Sequence, residues 1–166
     1  PDTKGSKVII VDNDHINPWN SDPNWVWKNF MRGNHFILMD HYKDFRIDSP
    51  ERPEPRHDPA RRAMGMAKKL SERIDLVSMT PQSELVSTGY CLADPGRMYL
   101  VYQSERTHKR FTLTLTATAG KYSVEWINPS SGKSHKSPDH NAKTGTNIFV
   151  PPFNGSAILY LQKMQN

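Results

Sequence analysis

The chain has 166 residues, 36% hydrophobic and 23% charged, the composition of a soluble globular protein, and no apolar stretch reaches the roughly 20 residues needed to span a bilayer. The single cysteine, Cys91, excludes an internal disulfide and any multi-cysteine zinc site, and its apolar setting in Tyr90-Cys91-Leu92-Ala93 predicts a buried packing role. The net charge of +5 is spread over 61–73, 105–110 and 133–143 with acidic residues among the basic ones, a pattern that predicts a solvated surface rather than a nucleic-acid or membrane site. The amino terminus carries no signal-peptide pattern.

The chain opens on an unbroken β-branched run, Val8-Ile9-Ile10-Val11, that ends in Asp12-Asn13-Asp14-His15. A strand apolar on both faces belongs in a covered parallel sheet, and such sheets carry their chemistry at the carboxyl ends of the strands. A parallel strand also needs neighbours on both sides, so this start predicts the last part of a larger catalytic architecture. Asp22 and Pro23 then read as a helix start and Gly33 as its stop, with Trp25, Val26, Trp27, Phe30 and Met31 giving the helix a broad apolar face. A second short apolar strand, residues 35–39, ends in Asp40-His41-Tyr42, completing a strand-helix-strand unit with a right-handed crossover.

Residues 43–58, rich in Pro, Arg and acidic side chains, read as a loop. A second helix starts at Asp58-Pro59, where Ala60, Ala63, Met64, Ala67, Leu70 and Ile74 recur at three- and four-residue spacing. From about residue 88 the periodicity becomes two. Residues 89–93 and 98–103 flank the turn Asp94-Pro95-Gly96-Arg97. Phe111, Leu113 and Leu115 alternate with threonines, and Tyr122, Val124 and Trp126 form the next alternating set. Residues 133–145 read as a polar loop, and strands over 147–150 and 157–161 follow, which together predict an antiparallel β-sandwich. His35, His41 and His57 are scattered and read as packing or surface residues, and Trp25, Trp27 and Trp126 as core.

The segments VIIVDNDH, NWVWKNFMRGNHFILMDHY, RRAMG and MTPQSELVSTGYCLADPGRMYLVYQ, followed by the Thr-rich strands, resemble the C-terminal part of a bacterial family of (β/α)8-barrel glycoside-hydrolase-like proteins. In that family the barrel is followed by a domain named as the collagen-binding domain of a collagenase. The resemblance implies an α/β plus all-β fold: residues 1–78 are the C-terminal strands and helices of a TIM-like barrel, and residues 84–166 a β-sandwich of collagen-binding or carbohydrate-binding type. Residues 8–12 then resemble barrel strand seven and residues 35–39 strand eight. In related barrels the end of strand seven carries a nucleophile, usually Glu; here the position offers Asp12 or Asp14.

Retaining glycosidases hold their two carboxyl groups about 5 to 5.5 Å apart, and inverting ones about 6.5 to 9.5 Å. In the resembling barrels the partner acid comes from strand four, so this chain alone is expected to hydrolyse nothing. Trp19 and Tyr42 are candidate sugar-stacking surfaces, Asp40 a hydrogen-bonding partner for hydroxyls, and His15 part of the same substrate-binding rim. Asp12, Asn13 and Asp14 read equally well as Asx residues that end a strand and cap a turn. Three adjacent groups on an extended segment alternate in direction and cannot all chelate one ion, so no metal and no cofactor is expected. The expected partner is a polysaccharide or glycan, with collagen implied by the domain label alone, and the resemblance implies an extracellular or periplasmic location. Two other functions fit the residues: a non-catalytic module binding polysaccharide or collagen, and a purely structural accessory domain.

Overall fold

In the computed structural model, which describes residues 7–12, 22–38, 57–104, 110–115 and 119–165, the opening apolar run forms β1 (Ile10–Asp12), parallel to β2 (His35–Ile37). Helix α1 (Pro23–Met31) connects them. It starts where the sequence predicts: Pro23 occupies the first turn and the Asp22 carboxylate accepts the Asn24 amide at 2.9 Å, satisfying one of the donors a helix start leaves open. It ends at Gly33, whose φ of 67° reverses the chain toward β2 at little steric cost.

Helix α1 packs on two sides at once. Trp25 and Trp27 are two residues apart, about 200° around the helix axis. Trp25 meets Phe36 of β2 edge-on at 5.9 Å, and Trp27 meets Tyr102 at 6.4 Å. Helix α2 (Asp58–Ser71) lies against α1 and buries Ala60, Ala63, Ala67 and Leu70, a mostly small-residue face that lets the two helices approach closely. Asp58 sits in its first turn and Lys68 and Lys69 in its last, as the helix dipole favours.

The rest of the chain is antiparallel. A six-stranded sheet has the order β3 (Thr80–Pro81), β4 (Cys91–Asp94), β5 (Met98–Gln103), β10 (Ala157–Lys163), β7 (Gly120–Ile127), β8 (Ser134–Ala142). A separate pair joins β6 (Phe111–Leu115) to β9 (Gly145–Phe149). The β4–β5 hairpin turns at Gly96, with φ of 89°, as the Asp-Pro-Gly signal predicts.

The large sheet is covered on both faces, and its alternation divides the core into two clusters. On one face Leu92, Met98, Leu100, Tyr102, Ile127, Ile158 and Tyr160 pack with the residues of α1 and α2. On the other, Cys91, Tyr99, Val101, Val124, Trp126, Leu159 and Leu161 pack with Phe111, Leu113, Leu115 and Phe149 of the two-stranded pair. Every residue of β5 is buried as a result. An ion pair from Arg73 to Glu125 at 2.6 Å, and Lys28 and Arg32 set over the Tyr90 ring at 5.4 and 5.0 Å, tie the helical layer to the sheet at its margin.

Two expectations change. The segment 133–145, which reads as a polar loop, contains the nine-residue strand β8. It is an edge strand, held by backbone pairing to β7 and largely exposed, so no apolar alternation marks it. The register shift between Tyr122 and Val124 places one extra residue on β8 beside Pro138, where a residue without an amide hydrogen is tolerated. The opening strands are also not covered on both sides. Among the described residues nothing packs on the face bearing Val8, Ile10 and Ile37, which are 71%, 64% and 51% exposed.

Removing side-chain volume from the doubly covered sheet is expected to be costly. Leu100→Ala should lower unfolding stability by about 2–5 kcal/mol in denaturant titrations, whereas Thr146→Ala on the exposed face of β9 should stay within about 0.5 kcal/mol.

Candidate functional site

Asp12 is the last residue of β1, paired in register with Ile37 of β2, and its side chain is exposed. Alternation along the strand puts it on the same face as Val8 and Ile10, the face opposite the one packed on α1. A carboxylate therefore stands at the carboxyl end of a parallel pair, on the open side of the pair. The other predicted site residues, Asp14, His15, Trp19, Asp40 and Tyr42, lie outside the described residues. Among the described residues no three His, Cys, Asp or Glu side chains come together as a metal site.

A second polar group lies at the start of α1. The helix returns antiparallel to β1, so its first turn sits at the same end of the unit as Asp12. There Asp22, Asn24, Trp27, Tyr102, Ser130 and Ser156 border a cleft of about 340 Å³ between the helix and the turns of the sheet. The Tyr102 hydroxyl donates to Asn24 Oδ1, and Asn24 Nδ2 donates to Asp22 Oδ1 at 2.6 Å. Burial pushes the Tyr102 hydroxyl well above the ordinary tyrosine range, so it stays protonated and acts as a donor. This arrangement orients one carboxylate and several hydroxyls at the junction of helix and sheet. Sequence reasoning assigned Asp22 to capping alone; its link to Tyr102, through an Asn24 hydrogen bond that spans 78 residues of sequence, leaves no local signal.

Of the tryptophans read as core, Trp25 is only half-buried, packed against the cluster that buries Trp27. Trp27 and Trp126 are buried, and Cys91 is buried with its thiol pushed far above the usual range by desolvation. His57 is buried at the start of α2, while His35 is exposed on β2.

No protein-family model and no curated protein sequence matches the chain. Solved structures do. A glycoside hydrolase family 5 protein from Bacteroides vulgatus superposes with a TM-score of 0.69 over 97% of this chain at 11% identity, and a second structure described as a glycoside hydrolase with a TM-score of 0.65 over 86% at 11% identity. The fold is glycoside-hydrolase-like. The chain spans 42% and 36% of the lengths of those two proteins. Among the described residues no helix is long and apolar enough to cross a membrane.

The buried hydroxyls and thiol are expected to limit stability at alkaline pH. Burial raises Tyr99, Tyr102, Tyr122 and Tyr160 above the ordinary 10.0, and Cys91 above 9.0. Each folded-state value exceeds its unfolded value, so the contribution is full below the unfolded value and is lost as pH rises toward the folded one. The thermal midpoint should therefore begin to fall above pH 9.0 and drop steeply above pH 10.0. Tyr102→Phe should make that alkaline drop shallower, measured by thermal melts across a pH series.

Proposed function

We propose that the chain is the C-terminal part of a glycoside hydrolase, in which β1 and β2 are the last two strands of a (β/α)8 barrel. In this reading residues 1–78 complete the barrel wall, and residues 84–166 form an accessory β-sandwich docked on it, with β3 at the join already paired into the large sheet. The observation that carries the reading is the sidedness of the parallel pair: one face rests on α1, and the other presents Val8, Ile10 and Ile37 with Asp12 at its carboxyl end. In a (β/α)8 barrel the helices cover the outside, the inward side chains fill the interior in layers, and catalytic groups stand at the carboxyl ends of the strands. The open face has the composition of a barrel interior.

Asp12, with Asp14 two residues on, then supplies the carboxylate at the end of strand seven. As a nucleophile it attacks the anomeric carbon while a second, protonated carboxyl group donates to the departing glycosidic oxygen; water later releases the glycosyl group. The second acid comes from another strand of the barrel, outside this chain, and the chain alone hydrolyses nothing. Trp19 and Tyr42 stack on sugar rings at the rim, and His15 and Asp40 hydrogen-bond hydroxyls. The substrate is a glycan, and the site of action is outside the cytoplasm.

The test is hydrolysis of a glycan panel by the protein that carries the whole barrel. Asp12→Asn or Asp14→Asn is expected to lower the rate by about 10²-fold or more with the circular dichroism spectrum unchanged. Full activity in both variants would overturn the assignment.

A further inference from the structure

The cleft of about 340 Å³ at the start of α1 is walled by two distant parts of the sequence. Its helical wall carries Asp22, Asn24 and Trp27. Its other wall is one end of the six-stranded sheet, where Ser104 follows β5, Ser156 precedes β10 and Ser130 lies in the turn after β7. Those three strands are consecutive, with β10 in the middle, so the sheet order brings the three serines to one place.

Two polar atoms of the helical wall are left over. Asp22 Oδ1 accepts the Asn24 amide at 2.9 Å and Asn24 Nδ2 at 2.6 Å, while Asp22 Oδ2 accepts nothing among the described residues. Trp27 is 1% exposed, and its indole Nε1 is buried without an acceptor among the described residues. A buried donor left unmade costs stability, and in a native fold it marks a place where an acceptor from outside the chain belongs. The Tyr102 hydroxyl is already engaged: it donates to Asn24 Oδ1 and hydrogen-bonds Ser156, so it orients those two side chains.

The same groups define what fits. The Asp22 carboxylate holds the amide end of the helix, and no residue bordering the cleft is basic, so an anion is disfavoured. An acceptor-only carboxylate oxygen, a donor-only indole and serine hydroxyls that do both complement a neutral molecule with several hydroxyls. We propose that this cleft binds a neutral sugar unit, one hydroxyl donating to Asp22 Oδ2 and one sugar oxygen accepting from Trp27 Nε1. That the molecule is a sugar of the substrate glycan rests on the glycoside-hydrolase reading above; that it is neutral and rich in hydroxyls rests on the cleft alone. Asp12 and the first turn of α1 share one end of the strand-helix-strand unit, so the cleft gives the glycan a second foothold, half of it supplied by the sheet.

The experiment is a proton–nitrogen NMR titration of the full chain with cellohexaose, mannohexaose and xylohexaose, and with glucosamine and galacturonate oligomers as cationic and anionic counterparts. A neutral oligosaccharide is expected to shift the Trp27 indole N–H saturably, while that of Trp126, in the other core cluster, stays in place. Asp22→Asn keeps the helix cap, because Asn caps as well as Asp, and exchanges Oδ2 for a donor; it should weaken binding about tenfold. Asp139→Asn, on the exposed edge strand β8, removes the same charge and should change binding less than about twofold. No shift of the Trp27 indole with any neutral oligosaccharide, tighter binding of either charged oligomer, or equal loss in the Asp139 variant would overturn the proposal. Failure here leaves the hydrolysis assay of Asp12 and Asp14 untouched, and binding here without hydrolysis by the whole-barrel protein would overturn the catalytic reading alone.

Discussion

Helix α1 is the element on which the rest of the structure depends, because it is packed from both sides. Trp25 reaches Phe36 of the parallel pair and Trp27 reaches Tyr102 of the large sheet. Fixing one helix therefore fixes two sheets relative to each other, and α2 locks the arrangement through its alanine face. The Asp22 cap, Asn24 and the Tyr102 hydroxyl join the same two parts through hydrogen bonds at the start of the helix. Polar and apolar contacts thus agree on one docking geometry, a consistency across levels that marks a specified fold.

Coverage of the large sheet follows from this. With helices on one face and the β6–β9 pair on the other, β5 and most of β10 are buried on both sides, and their sequences, MYLVYQ and AILYLQK, are nearly continuous apolar runs rather than alternating ones. Runs of that kind are usual in parallel sheets between helices; here an antiparallel sheet acquires the same composition because the helical layer borrows it as a floor. Among the described residues the glycoside-hydrolase-like fold thus has two buried interfaces and an open face on β1 and β2.

Much of this was legible in the residues. The Asp22-Pro23 start, the Gly33 stop, the alanine spacing of α2 and the Pro95-Gly96 hairpin each rest on a local rule that the surroundings did not override. Strand β8 was not legible, since backbone pairing at a sheet edge needs no apolar side chains, and His135, Lys136 and Asp139 look the same in an edge strand as in a loop. The open face of β1 was hidden for the opposite reason: Val8 and Ile10 read as buried residues, and only packing reveals which side the helix takes. Of the candidate site, Asp12 could be located from strand-end logic, whereas the convergence of Asp22 with Tyr102 arises from the docking of α1 on the sheet, which no local window contains.

The central claim is that the face carrying Val8, Ile10 and Ile37 is an interior face, filled when the barrel is whole. Replacing Ile10 and Ile37 with Gln and comparing thermal midpoints in two contexts tests it directly. In this chain alone, where both side chains are exposed, the double variant should shift the midpoint by less than about 2 °C; in the protein with the whole barrel it should lower it by about 5 °C or more. An unchanged midpoint in the whole-barrel protein would contradict the claim.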